Sequence, residues 1–510
     1  MKKYLIKKED SIFIIVGLFF GFAINLFHLT NTLFNHDNLI CASSGIGTTY
    51  PLGRWFLGFI GDEITKHGFN NNISYFYGYI SMIIMCLVVY LLVRFFKIEN
   101  TIIKYSILFL FITYPVFNGT MFYMFTMPWY MLAVLMSTLS AIIFFEAKKK
   151  YASILSIILF VLSIAIYQAY IPYTITLYLV KLFFDILDTE EFKLSIFFKK
   201  CFEIGVIFII SIVLYALLNN LILNLKGISL TDYQGVNGML ELSLIGILNG
   251  VKNAYSNFFV FILRGTHNIN EQLLTRVSTF VLIVLFIVLL TKDIIKMRIE
   301  KILSLMLLVL LFPLAVNFIY VMCGEQSNIY LLMKLGTIFI YMIPLIYIDR
   351  RIEQKILING KVLLPVCGII LFYNCYMAMY NQQAIYYANE QAKSFFNILY
   401  SRILSIDDYN YDYPIVITGD FDSRLCSNNY VKDNNGYAKM YDGVYESYIH
   451  TYSRTAVLRM LIGTSNDIID YHYVDMSEIK NTKEFKEMGI YPEKNSIGVI
   501  DEKIVIKTSE

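Results

Sequence analysis

Charge is scarce in this sequence. Of 510 residues, 16% are Asp, Glu, Lys or Arg, where soluble domains carry about 25%. Hydrophobic residues make up 57%, and the mean hydropathy is +0.59. The shortage excludes an ordinary soluble enzyme and places the chain among polytopic membrane proteins. A formal net charge of +3 is too small to indicate a nucleic-acid partner. The seven cysteines show no C-x-x-C spacing and fall mostly in apolar stretches, which excludes a disulfide framework or a zinc site. None of the six histidines has metal-ligand spacing such as H-x-x-x-H. A divalent metal stays open as a cofactor through carboxylates and His36, but nothing in the pattern calls for one. No internal repeat is evident, which weighs against transporter folds built from paired halves. Lysines precede the first apolar run, yet no small-residue cleavage site follows it. That run therefore reads as an uncleaved first span.

Eleven apolar stretches have span length, near 11–29, 73–95, 101–117, 128–146, 151–169, 171–187, 203–223, 274–291, 301–322, 329–348 and 361–380. A tight turn at Tyr170-Ile171-Pro172 separates the fifth from the sixth. One set of alternate loops carries eighteen Lys and Arg residues, and the opposite set carries five before residue 383. This asymmetry predicts a cytoplasmic N-terminus, and an odd span count then leaves the C-terminus outside. Two outer loops are long, 30–72 and 224–273, with short apolar runs at Trp55–Ile60 and Phe258–Leu263 that suit interfacial helices. The expected localisation is the plasma membrane, multi-pass.

Composition changes after residue 382. Residues 383–510 are 25% charged with net charge −6, against 13% for residues 1–382. The expectation is a transmembrane domain over 1–382 and a small extracytoplasmic α/β domain over 383–510. A helix at Ala384–Ile406 opens the latter. Its strands are expected at Pro414–Thr418 and over Ile497–Ile506, broken by a turn at Asp501-Glu502.

The first outer loop gathers the chemistry. It contains Asn35-His36-Asp37-Asn38 and then Tyr50-Pro51-Leu52-Gly53-Arg54-Trp55. A carboxylate on the substrate side, such as Asp37, can take a proton from a sugar hydroxyl. It can equally cap an interfacial helix. His36 and the two asparagines can orient it. The Arg54 fork suits phosphate. Trp55 and Trp129 suit either sugar stacking or interface anchoring. Arg264, in Leu263-Arg264-Gly265-Thr266-His267, is a second phosphate candidate. Lys334 lies inside the tenth span, where a cation is costly; it can pair with Glu325, neutralise a lipid phosphate or snorkel. Gln168, beside Tyr167, needs a polar partner, which a sugar hydroxyl or a neighbouring helix can supply. Asp420-Phe421-Asp422 follows an expected strand. It reads as a turn, because nucleotide sugars are cytoplasmic and this segment is expected outside.

Asn-His-Asp followed about sixteen residues later by Gly-Arg-Trp resembles the GtrII-type glucosyltransferases of bacteria. So do Tyr167-Gln168, the odd span count and the external domain ending in Tyr491-Pro492 and the Ile497–Ile506 strand pair. The resemblance covers most of the chain as architecture, while its sequence-specific part is short. It implies a GT-C-like membrane enzyme that takes a sugar from a polyprenyl-phosphate carrier and adds it to a cell-surface glycan. The donor would be glucose-bearing, the bilayer and the glycan acceptor would be its partners, and the family's acidic residue in the first outer loop would map onto Asp37. Two rivals stay in view. A flippase for a lipid-linked glycan favours charges at the bilayer midplane, whereas the polar clusters here lie at the span ends. An intramembrane acyltransferase needs a histidine, for which His36 and His28 are available.

Overall fold

The computed structural model describes residues 8–41, 46–47, 49–68, 73–147, 151–231, 243–267, 269–323, 329–352, 360–426, 453–471 and 474–509. Two compact units divide the chain. The first comprises Met1–Thr30 and Gly45–Met379, and the second comprises Asn31–Ser44 and Tyr380–Glu510.

Helices dominate the first unit. Among the described residues, nine helices are long and apolar enough to cross a membrane, and a tenth span forms if the bent pair Thr101–Thr113 and Pro115–Met121 counts as one. The chain is a multi-pass membrane protein. The expected stretch 151–169 is shorter than a span, being the 15-residue helix Ala152–Ile166. Its break falls at the extended Tyr167, three residues before the expected turn at Tyr170. Pro172 does not break the chain, because it sits in the first turn of the helix Ile171–Asp188, where its missing N–H costs nothing.

Hydroxyl pairs let the helices Met127–Glu146 and Ala152–Ile166 approach closely. Ser137 and Ser163 meet at 2.8 Å, Ser140 and Ser156 at 3.0 Å, and the Tyr178 hydroxyl joins the second pair. Small residues at a helix interface permit this approach in an apolar medium.

The segment 224–273 differs most from expectation. It holds a 21-residue helix, Leu244–Arg264, with Ser243 as its N-cap and Gly265 at φ +74 ending it. The run Phe258–Leu263 is the end of this helix. Asn249, Lys252, Asn253 and Asn257 dilute its hydropathy, which hid its length in the sequence. Gly250 lets it pack tightly, since a Cβ there would come within 2.8 Å of the Tyr320 carbonyl oxygen. Asn317 Nδ2 also donates to the Ala254 carbonyl at 3.0 Å.

The second unit is built on a sheet of four short strands: β1 Ile415–Ile417, β2 Ile468–Asp470, β3 Ile497–Ile500 and β4 Lys503–Ile506. Their order is β2-β1-β4-β3. β1 runs parallel to β2 and β4, and β3 pairs antiparallel with β4. Asp501 and Glu502, both at positive φ, make the hairpin turn. Alternation sorts the side chains. Ile415, Ile417, Ile504 and Ile506 pack with Phe395, Phe396, Leu399 and Ile403 of the helix Gly360–Leu404. Val416 and Val505 face Met476, Ile479 and Phe485.

Arg454 ties β2 to the end of β1. It is fully buried, and its guanidinium donates to both Asp470 oxygens at 2.5 and 2.7 Å and to the Gly419 carbonyl at 2.8 Å. Removing one partner of such a pair strands a buried charge, at a cost of about 3–5 kcal/mol. Arg454→Met in the full-length protein should therefore make the 380–510 segment sensitive to limited proteolysis at temperatures the parent chain survives. Parental resistance would show that the pair contributes little.

Candidate functional site

Tyr50-Pro51-Leu52 forms a single 3-10 turn, Gly53 follows at φ +70, and Arg54 precedes the helix Trp55–Lys66. Two spans hold this turn by its carbonyls. Gln168 Nε2 donates to the Leu52 carbonyl at 2.8 Å and to the Tyr215 hydroxyl at 2.9 Å. The Tyr215 hydroxyl donates to the Gly53 carbonyl at 2.9 Å. Glycine is required at position 53 for two reasons: its left-handed φ, and the 2.6 Å that would separate a Cβ from the Tyr215 oxygen. Gly53→Ala is expected to destabilise the protein by more than about 1 kcal/mol and to displace the arginine that follows. Thermal melting in detergent checks this; an unchanged melting temperature would mean that the turn tolerates a side chain at position 53.

The Arg54 guanidinium rests on aromatic rings. Nη1 donates to the Tyr130 hydroxyl at 3.2 Å, and the guanidinium carbon lies 4.9 Å from the centre of the Tyr167 ring. Tyr130 and Tyr167 stack at 4.3 Å with their planes 5° apart. Tyr170 meets both edge-on. A cation on aromatic faces keeps its charge while shedding part of its hydration, and its planar fork still presents N–H groups to an anion.

A second group steadies the same turn. The Tyr50 hydroxyl donates to Asp62 Oδ2 at 2.6 Å, and Lys226 Nζ donates to the same oxygen at 3.0 Å. Lys226 also lies 4.2 Å from the centre of the Tyr50 ring. Burial, with the adjacent Asp62, pushes the Tyr50 phenol up. Burial alone would raise Asp62, but the hydrogen bonds from Tyr50 and Lys226 outweigh it and hold the carboxyl below its ordinary value.

The remaining candidates fall elsewhere. Lys334 is buried, sits at a non-helical kink in the 3-10 stretch Leu331–Ile338, and donates to the Tyr320 hydroxyl at 2.6 Å. That stretch packs on the 3-10 turn Gln168–Tyr170, so the turn touching Leu52 also borders the element carrying Lys334. Arg264 is exposed at the last residue of its helix. Trp55 and Trp129 are half-buried, with their rings near Phe56 and Tyr77. Glu325 lies outside the described residues, and so does the side chain of His36. Asp37 belongs to the second unit, in the six-residue helix His36–Cys41. Asn35, not Asp37, caps that helix, its Oδ1 accepting from the Asn38 N–H at 2.8 Å. Among the described residues, no group of three His, Cys, Asp or Glu is placed to hold a metal ion.

The structure thus brings Arg54, Tyr167 and Gln168 together. It adds Tyr130, Tyr215 and Asn219, which are not among the candidates expected from the sequence. A signal for two of them existed. Ser211, Tyr215 and Asn219 recur every four residues along an otherwise apolar span, which makes one polar stripe.

These features define a membrane protein with an arginine on an aromatic floor at the end of its spans. Residues 26–341, more than half of the chain, match the family described as Glucosyl transferase GtrII. The chain belongs to that family, and membership implies a glucosyltransferase. No curated protein and no solved structure matches it.

Proposed function

We propose that the chain moves a glucosyl group from a polyprenyl-phosphate carrier to a surface glycan at the outer face of the membrane. The N-terminus lies in the cytoplasm, the spans form a GT-C-like arrangement, and the C-terminal domain lies outside. The observation that carries this reading is Arg54 on the Tyr130–Tyr167 stack. A phosphate leaving group gains charge as the glycosidic bond breaks, and a fixed guanidinium aimed at it stabilises that charge most in the transition state. Lys334 and Arg264 are the further cations assigned to the carrier phosphate. Trp55, Trp129, Tyr167, Gln168, His36 and Glu325 are assigned to the substrates.

Asp37 is the proposed base. It accepts the proton of the acceptor hydroxyl, whose oxygen attacks the anomeric carbon as polyprenyl phosphate departs from the opposite face. A single displacement inverts the anomeric centre. Support comes from its place: the carboxylate is half-buried in the first turn of a helix whose cap is Asn35. The acyltransferase reading loses ground at His28. Its Nε2 lies 2.8 Å from the Met121 carbonyl and its ring meets Phe122 edge-on, both of them packing roles.

Membranes containing the protein, given radiolabelled polyprenyl-phosphate glucose and a surface glycan, should transfer label to the glycan. Label that crosses the bilayer while staying on its carrier would instead identify a flippase.

A further inference from the structure

Asn219 lies one turn beyond Tyr215 on the same face of the helix Leu194–Lys226. It is 95% buried, at 5% exposure, and among the described residues its Oδ1 has no hydrogen-bond donor. A Cβ built on Gly53 would lie 3.6 Å from that oxygen, against 2.6 Å from the Tyr215 hydroxyl. The acceptor therefore opens onto the turn that delivers Arg54. Its neighbours are already committed: Gln168 Nε2 goes to Leu52 and Tyr215, and the Tyr215 hydroxyl goes to Gly53. A buried carbonyl left without a donor inside an apolar span is costly, and a protein keeps one where a ligand supplies the missing hydrogen.

We infer that Asn219 Oδ1 accepts a hydrogen bond from a hydroxyl of the sugar on the lipid-linked donor, and so helps select that sugar. The inference rests on the proposed glucosyl transfer. A hydroxyl fits best, because the vacant atom is an acceptor and the neighbouring Arg54 already supplies the cation that a phosphate needs. Phosphate oxygens, being acceptors themselves, would repel the amide oxygen. One residue pair thus separates two tasks: Arg54 takes the anion, and Asn219 reads a hydroxyl a short distance away. Tyr215 acts as a positioning residue, holding the turn through Gly53 and touching neither group of the donor in this scheme.

The test compares the full-length parent with Asn219→Leu and Asn219→Asp in detergent, using polyprenyl-phosphate glucose and its mono-deoxy analogues. In the parent, one deoxy position should lower kcat/KM by at least about tenfold, because it leaves the buried acceptor unfilled. In Asn219→Leu, glucose should fall to the level of that deoxy donor, and the penalty for the missing hydroxyl should vanish. Asn219→Asp keeps an acceptor and should keep the discrimination. Thermal stability of Asn219→Leu without donor should match or exceed that of the parent, since no internal hydrogen bond is lost. A lowered melting temperature with all donors weakened equally would overturn the inference in favour of a structural role. Unchanged donor preference would overturn it in favour of a water at this position. If the parent does not turn over polyprenyl-phosphate glucose at all, the proposed function itself fails and takes this inference with it.

Discussion

Arg54→Ala should lower glucosyl transfer by about 10²–10³-fold, the usual loss when a preorganised group facing developing charge is removed. The fall should appear in kcat, because the phosphate gains its extra charge on the way to the transition state and not in the bound carrier. Arg54→Lys is informative beside it. Lysine keeps the charge but loses the planar fork and the flat contact with the Tyr167 ring. It should therefore recover only a minor part of the lost rate. Full activity in Arg54→Ala membranes, with protein levels matched, would remove the residue from the mechanism.

Asp37→Asn is expected to cost about 10²-fold or more, the contribution of a positioned general base. Asparagine is nearly the same size and leaves the Asn35 cap untouched, so folding should survive. Asp37→Glu separates this role from a merely polar one: it keeps a carboxylate and should recover part of the rate that Asp37→Asn loses. Normal transfer by Asp37→Asn would show that the base lies elsewhere.

Much of this was legible in the sequence because hydropathy and positive φ are local properties. Most of the expected apolar stretches coincide with long apolar helices, 151–169 being too short for a span. The alternation over 497–506, interrupted by Asp501-Glu502, marked the hairpin of β3 and β4. What escaped was set by distance along the chain. The helix Leu244–Arg264 was hidden by its own asparagines. β2 is only three residues long, and the buried Arg454 that anchors it carries no sign of burial in its neighbours. Tyr130 and Tyr215 became site residues only when three spans converged, although the Ser211, Tyr215 and Asn219 periodicity offered a hint. The resemblance to GtrII enzymes lay in short patterns of the first loop, and the family match over 26–341 carries it well beyond them.

The contacts of Gln168 and Tyr215 with the Leu52 and Gly53 carbonyls have a mechanical corollary. Arg54 takes its aim from helices more than a hundred residues away in the sequence as well as from Gly53 beside it. Lipids that change the tilt of the helix Leu194–Lys226 should shift the guanidinium along with it. Bilayer thickness then becomes a control on turnover, felt at the arginine before any loop has changed.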